Sequence, residues 1–338
     1  MTELEIKYGF PLFTKPSSTV YLGDHKKLII SDLWSFWDYV IKKHGKNRDF
    51  LSALLEQAKH FYIAAESSPV KSKPLLFYYA FLNLSKIIIG IEKNYNSSHE
   101  FRHGIAENHN GNFAHSTITI YELKNDIKNV AIELHNILDV HAFSSKQVFK
   151  VKELLAHCVG VHRAYSEIYN QKEIFFRLDN AKLYKSGRDM IFRGEVRCKA
   201  DNVASLQARG YSIAYEDGKY FYECKIQTTR YSKTRADYYA LSQKLRHEGI
   251  WYYIGSDGHT FYLSELATNR YSPESIIYNV MFYLGSITRY HPYMFDRIFS
   301  DKEQWLMSEF LTTQPKQFLY LATSKVLGQH VLKAYASF

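Results

Sequence analysis

One segment of this 338-residue chain is almost wholly apolar: Lys73-Pro-Leu-Leu-Phe-Tyr-Tyr-Ala-Phe-Leu-Asn-Leu-Ser-Lys86-Ile-Ile-Ile-Gly90. Pro74 lies near the first turn of the predicted helix and Gly90 lies past its last turn, which are positions that these residue types favour. A helix that is apolar on nearly every side must be buried. The segment therefore predicts the centre of an α-helical core.

A polar, histidine-rich segment follows the predicted helix: Phe101-Arg-His-Gly-Ile-Ala-Glu-Asn-His109. In a helix, Arg102 and His109 would lie two turns apart on one face, so both could contact one phosphate. His109 would take the proton of an RNA 2′-hydroxyl as general base, and Arg102 would stabilise the charge of the transition state, with His103 assisting. Gly104 and the run from Asn108 to Asn112 disfavour a continuous helix, so a loop position for His109 stays open. Arg and His residues also reach such spacings by chance, so a noncatalytic contact or a structural role stays open too.

The pattern Lys73-Pro-Leu, Tyr78-Tyr79, Asn83-Leu84 and Lys86, followed by His103-Gly104, resembles the YaaC-like family of bacterial proteins. Two later segments add to this resemblance, which spans most of the chain: Val151-Lys-Glu-Leu-Leu-Ala-His157 and Arg289-Tyr-His-Pro-Tyr293. A YaaC-like protein would hold the second of these near its helical core. Further candidate site residues within these motifs are Tyr79, Lys86, Arg289 and His291. A cationic Arg and His at a helix end also stabilise the helix dipole, so capping explains Arg289 and His291 equally well.

The first half of the chain is more remotely similar to HEPN helical domains (higher eukaryotes and prokaryotes nucleotide-binding), through Tyr78-Tyr79-Ala80, Lys86 and His103-Gly104. These domains include ribonucleases of toxin and antiviral systems, which use an Arg-x(4–6)-His motif. The similarity thus implies an α-helical body and the ribonuclease roles described above for Arg102 and His109.

The periodicity of apolar residues divides the chain into three parts. Residues 1–170 form an N-terminal helical, HEPN-like region, with helices expected over 121–138 and 144–169. Residues 171–270 form an α/β insert, and residues 271–338 form C-terminal helices that pack back on the first region. Pro292 and Pro315 separate the predicted C-terminal helices 273–290, 293–311 and 315–335. The fold class is α+β and mostly α.

The insert contains an internal repeat. Asp217-Gly218 and Asp257-Gly258 lie 40 positions apart, and each is followed by Phe-Tyr after two intervening residues. Each repeat reads as a short helix ended by glycine, then a hairpin with the Asp-Gly pair that a type I′ turn requires. Two α-β-β units predict a small antiparallel β module with helices on one face.

The net charge of +9 permits a polyanionic partner. The strongest local signal is the basic and aromatic run from Lys225 to Tyr239, in which Thr, Ser, Arg and Tyr side chains could hold phosphates and stack bases. The candidate nucleic-acid-binding residues in this run are Arg230, Tyr231, Lys233 and Arg235. A solvated linker is the alternative interpretation.

Several classes of protein are disfavoured. The three cysteines are isolated and no metal-ligand set is complete, so neither a metal nor a cofactor is expected. No Walker loop, GxGxxG, HExxH, GxSxG or kinase signature is present. We expect a cytoplasmic protein without membrane association, because there is no signal peptide and no apolar stretch reaches the ~18 residues needed to span a bilayer.

Two functional hypotheses follow. The first is a cytoplasmic RNA- or nucleotide-binding protein, and a candidate metal-independent ribonuclease of the HEPN type, acting in stress or antiviral defence. The alternative is a noncatalytic protein-interaction subunit of a multiprotein defence complex, with a protein partner or a homodimer expected. The absence of a complete catalytic set motivates the second hypothesis.

Overall fold

A computed structural model describes residues 2–3, 28–109, 113–124, 126–138, 143, 146–228, 234–255, 258–264, 271–327 and 331–333. The chain forms two compact units. One unit contains residues 31–173 and 271–326, and the other contains residues 174–270 together with residues 1–30 and 327–338. The first unit carries most of the helices, and the second carries the largest sheet, which is antiparallel. The fold is therefore mixed α/β with a helical majority.

The helices of the described residues, in chain order, are α1 (Leu33–His44), α2 (Arg48–Ser67), α3 (Lys73–Lys93), α4 (Val130–Leu138), α5 (Val151–Ala156), α6 (His162–Tyr169), α7 (Ala200–Ala208), α8 (Thr234–His247), α9 (Pro273–Tyr290), α10 (Pro292–Ser300) and α11 (Gln304–Leu327). The strands are β1 (Thr2–Glu3), β2 (Leu28–Ile30), β3 (Glu100–Arg102), β4 (Ile105–Asn108), β5 (Thr117–Ile120), β6 (Ile127–Asn129), β7 (Gln147–Lys150), β8 (Phe175–Ser186), β9 (Asp189–Val196), β10 (Ile213–Glu216), β11 (Lys219–Gln227), β12 (Trp251–Gly255), β13 (Gly258–Ser264) and β14 (Val331–Lys333).

Helix α3 is the buried centre of the first unit, which confirms the prediction from its composition. It packs against α2 and α9, and Phe81 stacks on Phe318 of α11 with ring centroids 4.1 Å apart. At Gly285 of α9, an added Cβ would lie 2.9 Å from Tyr78 Cβ, so a glycine lets α9 approach α3 closely. This approach brings the end of α9 beside the exposed side of α3.

The segment Val70–Lys93 is long and apolar enough to cross a membrane by length and composition, and 72% of the tested window is buried inside the structure. The expectation that no apolar stretch reaches ~18 residues is therefore wrong for this segment, in which Asn83, Ser85 and Lys86 are scattered among apolar residues. The central helix of a folded core and a membrane span satisfy the same test.

The helix expected across Arg102–His109 is wrong. This part of the chain is extended: β3 pairs with β6 in parallel, and β4 pairs with β5, which also pairs with β7. Gly104, with φ of +68°, joins the two strands. The helix predicted over 121–138 begins only at Val130, and the one predicted over 144–169 is divided into β7, α5 and α6.

The second unit contains the predicted repeat. Its sheet has the strand order β10-β11-β9-β8-β13-β12, and β1 also pairs with β8. The hairpin of β8 and β9 is central, and the two repeated hairpins flank it, each preceded by a helix (α7 or α8). Asp217 and Gly218 have φ of 49° and 78°, as a type I′ turn requires. Asp257 of the second repeat lies outside the described residues.

The C-terminal helices depart from the prediction at Pro315. Helices α9 and α10 begin beside Ser272 and at Pro292 as expected. The predicted helix 293–311 is instead broken after Ser300, and α11 continues through Pro315 and ends at Leu327, before the predicted end at 335. Proline removes one helical hydrogen bond. Phe310 and Phe318, on either side of Pro315, are both fully buried, so tertiary packing holds the helix in place. Beyond α11, β14 pairs in parallel with β2.

Asp32 caps α1, and its replacement tests the local stability of this helix. Its Oδ1 accepts hydrogen bonds from the N–H groups of Trp34 (3.0 Å) and Ser35 (3.1 Å). Asp32→Ala is expected to reduce the free energy of unfolding by about 1 kcal/mol at neutral pH. The Ser35 hydroxyl and backbone N–H lower the pKa of Asp32.

Because the folded state has the lower pKa, the cap stabilises the protein above the unfolded-state pKa of about 3.9 and loses this effect as the pH falls through the folded-state value. Urea unfolding of wild type and Asp32→Ala at pH 7 and at low pH measures the difference. A difference that stays constant between the two pH values would contradict the capping role.

Candidate nucleic-acid interface

The C-terminal end of α9 carries an exposed arginine that reaches α3. Arg289 Nη1 donates a hydrogen bond of 2.9 Å to Tyr79 Oη. The Arg289 guanidinium also lies 5.0 Å from the ring centroid of Tyr290. Within the described residues, no carboxylate pairs with Arg289. Its positive charge is therefore not neutralised by a described neighbour, and Tyr79 holds the side chain in position.

His109 and His291 come together beside this arginine. Their ring centroids lie 3.7 Å apart. His109 follows β4, and His291 lies between α9 and α10, where its backbone N–H donates to the Ile287 carbonyl. Because Pro292 starts α10 directly, the chain changes direction at His291 and presents its ring to His109. Two segments far apart in sequence thus place two imidazoles in contact.

The electrostatic surroundings favour a neutral His109. Burial lowers the pKa of His109, and the neighbouring His291 lowers it further, while Glu107 acts in the opposite direction. A neutral imidazole has one nitrogen that can accept a proton. His109 therefore has the protonation state that a general base needs at neutral pH.

Two tyrosines extend this region into solvent. Tyr290 is 59% exposed and Tyr293 is 76% exposed. Together with the residues above they form a basic and aromatic region, which we call the Arg289 surface: Tyr79, His109, Arg289, Tyr290, His291 and Tyr293. Behind it, Tyr78 packs edge-to-face on Phe282 of α9 with centroids 5.4 Å apart, so the surface rests on buried aromatic packing.

The predicted pair of Arg102 and His109 is not brought together in the way that the helical interpretation required. Arg102 lies on β3, where its Nε is 2.8 Å from Glu100 Oε1 in an exposed ion pair. His109 follows β4, which belongs to another sheet. The catalytic role of Arg102 stays a prediction, but its helical geometry is wrong because Gly104 turns the chain between two strands.

His103 has a local structural partner. Its Nδ1 accepts a hydrogen bond from the Ile105 N–H at 3.2 Å, and its ring lies 5.3 Å from that of Phe282. Burial lowers the pKa of His103. These contacts position the turn at Gly104, and through it β4 and His109.

The remaining candidates lie elsewhere. Lys86 Nζ is 5.9 Å from the ring centroid of Phe101, and burial lowers the pKa of this lysine. Arg230, Tyr231 and Lys233 lie outside the described residues, and of Arg235 only the helical backbone in α8 is described. Among the described residues, no group of three or more His, Cys, Asp or Glu side chains is arranged to hold a metal ion.

A family model with the description YaaC-like Protein matches residues 15–326. The chain belongs to the YaaC-like family. No curated protein and no solved structure matches it. None of these comparisons supports the HEPN similarity, which stays a prediction. The match includes every residue of the Arg289 surface, so the geometry described above lies within the YaaC-like part of the chain.

Sequence reasoning found four members of the Arg289 surface in this YaaC-like protein but assigned them to separate features. The sequence pairs His109 with Arg102, and it makes Tyr79, Arg289 and His291 separate candidates within the YaaC-like motifs, with helix capping as the alternative for Arg289 and His291. Glu107, Tyr290 and Tyr293 were not singled out as site residues. Tyr290 and Tyr293 could have been noticed because they flank Pro292, where the apolar periodicity of α9 ends and aromatic side chains are free to face solvent.

Proposed function

We propose that this YaaC-like protein binds single-stranded RNA through the Arg289 surface. The observation that carries the proposal is the convergence of Arg289, His109 and His291 beside two exposed tyrosines. Single-stranded nucleic acids are bound by cations that contact phosphates and by aromatic rings that stack on bases. The net charge of +9 favours association with a polyanion.

Each part of the surface has a distinct role in this proposal. Arg289, held by Tyr79, donates hydrogen bonds to a phosphate, because guanidinium groups match phosphate geometry. His109 and His291 contact the same or the next phosphate. Tyr290 and Tyr293 offer ring faces to the bases, and stacking on aromatic side chains contributes about 1–3 kcal/mol per base.

Cleavage of the bound RNA is the second candidate function, favoured by the neutral state of His109 beside a second imidazole. His109 takes the proton of a 2′-hydroxyl, the 2′-oxygen attacks the phosphorus, and the 5′-oxygen leaves with a proton, which gives a 2′,3′-cyclic phosphate. Arg289 then has the charge-stabilising role that was predicted for Arg102. With cleavage as its function, the protein would resemble HEPN ribonucleases in its first unit and would act in stress or antiviral defence.

Fluorescence polarisation with a short unstructured RNA tests the binding. Arg289→Ala/His291→Ala is expected to weaken binding about fivefold, since exposed charged contacts contribute up to about 1 kcal/mol. Arg48→Ala, which removes an exposed charge at the start of α2, is the matched control and should bind like wild type. Absence of RNA binding by the wild type, or an equal loss in the control, would contradict the proposal.

The same samples distinguish the remaining functions. Incubation with RNA in EDTA, followed by analysis of the product ends, detects the 2′,3′-cyclic phosphate expected of cleavage, which His109→Ala should abolish. Intact RNA that stays bound supports a binding protein without nuclease activity. If the wild-type protein does not bind RNA but elutes in a salt-resistant complex with another protein, the result supports the noncatalytic interaction subunit.

A further inference from the structure

A cleft of about 260 Å³ lies along one face of α10, from Met294 in its first turn to Glu303 just before α11, and none of its lining residues belongs to the Arg289 surface. One wall is apolar and consists of Phe113, Met294 and Ile298. The volume is several times the roughly 30 Å³ that one water molecule occupies in the liquid, so the cleft has room for a ring-sized group such as a nucleobase.

Charged side chains of both signs complete the lining. Arg297 and Lys302 are the cations, and Asp301 and Glu303 are the carboxylates. The two carboxylates lie just before α11, whereas Arg297 lies on the last turns of α10. A ligand with an apolar face, hydrogen-bond donors and an anionic group would complement this lining.

Glu303 is fixed in place. It is 6% exposed, and its Oε1 accepts a hydrogen bond of 3.1 Å from Tyr169 Oη. The Tyr169 ring lies between two lysines, with Lys152 Nζ at 3.8 Å and Lys302 Nζ at 5.1 Å from the ring centroid. Burial and the Glu303 carboxylate raise the pKa of Tyr169, so the phenol keeps its proton and donates it to Glu303. A buried carboxylate with a fixed orientation can accept a hydrogen bond from a ligand and so select ligands that carry a donor at that position.

We propose that this cleft is a base-reading subsite that prefers nucleobases with an exocyclic amino group, such as cytosine, over uracil. The base packs on Phe113, Met294 and Ile298, its amino group donates to Asp301 or Glu303, and its phosphate contacts Arg297 or Lys302. Acidic side chains accept from the cytosine amino group, whereas uracil presents a carbonyl oxygen at the same position. RNA bases that are splayed out of a single strand are read in this way.

Helix α10 links the cleft to the Arg289 surface over a short distance. This helix has nine residues, which correspond to roughly 13 Å at 1.5 Å per residue. His291 precedes its first turn, and Arg297 and Ile298 lie on its last turns. A strand of RNA that contacts the Arg289 surface can therefore place a neighbouring base in the cleft. Only this step, in which one RNA strand reaches both the Arg289 surface and the cleft, depends on the proposed function.

Competition between cytidine and uridine oligomers tests the subsite. Oligo(rC) is expected to bind wild type at least about fivefold more tightly than oligo(rU) of the same length. In Asp301→Asn and Glu303→Gln the preference should fall to about one, because a side-chain amide also donates to the uracil carbonyl. Glu309→Gln, two turns into α11, is the matched control and should keep the wild-type preference.

Titration of the full chain with CMP and UMP, followed by NMR, separates this proposal from the proposed function. Selective binding of CMP supports the subsite, even if no RNA binds to the Arg289 surface. Equal binding of the two oligomers by wild type, with tight RNA binding retained, would overturn the subsite and leave the proposed function standing. Asp301 is exposed, so Asp301→Asn reports on the cleft even if Glu303→Gln fails to fold.

Discussion

Gly104→Ala is expected to lower the free energy of unfolding of the first unit (residues 31–173 and 271–326) by about 3 kcal/mol or more. Gly104 has φ of +68°, a conformation that residues with a Cβ rarely adopt. A Cβ at this position would also overlap the side-chain amide of Asn129. The substitution therefore combines backbone strain with a steric conflict.

Asn129 cannot move away without a further loss. Its side chain is 6% exposed. Its Nδ2 donates a hydrogen bond of 2.6 Å to the Tyr121 carbonyl, and its Oδ1 accepts one of 3.1 Å from the Ile132 N–H at the start of α4. Displacing the amide would remove the partner of these partly buried backbone groups, which costs up to about 3 kcal/mol for each group.

Gly45→Ala is the matched control for this prediction. Gly45 has φ of +76°, but an added Cβ would meet no atom within 4 Å. Its substitution is expected to cost only the backbone strain of about 1 kcal/mol. Guanidinium unfolding of both variants measures the two free energies, and equal losses at the two positions would show that the conflict with Asn129 is absent.

The second large effect is an increase in RNA affinity, of up to about tenfold, as the pH falls from about 8 to below the pKa of His109 in the free protein. In the free protein, burial and His291 lower the pKa of His109. A bound phosphate favours the charged imidazole, so the pKa of His109 is higher in the complex than in the free protein. A difference of one pH unit between the two values corresponds to about 1.36 kcal/mol, or a tenfold change in affinity.

The sign follows from proton uptake. Binding takes up a proton at pH values between the free and the bound pKa of His109, so the affinity rises as the pH falls through this range. The titratable groups that act on His109 are Glu107 in β4, which favours the imidazolium, and His291 between α9 and α10, which opposes it.

Fluorescence polarisation across this pH range, at constant ionic strength, measures the slope. His109→Gln removes the titrating group and should give a much flatter profile, whereas Arg48→Ala should keep the wild-type slope. A profile of His109→Gln that is as steep as that of the wild type would show that another group takes up the proton.

Features that depend on neighbouring residues were predicted well from the sequence. The apolar segment from Lys73 to Gly90 is the central helix α3, since apolarity on every side leaves burial as its stable state. The first Asp-Gly turn and the two α-β-β repeats follow from backbone preferences at Asp217 and Gly218 and from alternation along each strand. The start of α9 follows from Ser272, whose hydroxyl accepts from the Ser275 N–H.

Features that depend on distant residues were not predicted. Strands β3 to β7 have three or four residues each, and such short segments are determined by the strands that pair with them. Arg102 therefore lies in an exposed pair with Glu100, and His109 meets His291 instead. Helix α11 passes through Pro315 because buried aromatic side chains on both sides outweigh the lost hydrogen bond.

The sequence by itself thus determined the central helix, the repeated hairpins and membership of the YaaC-like family. The tertiary structure decided which of the candidate residues meet: Tyr79 with Arg289, and His109 with His291. The physical reason is the range of the interactions. Helix caps, turns and apolar periodicity act over a few residues, whereas this surface forms only when α3, β4 and α9 are packed together.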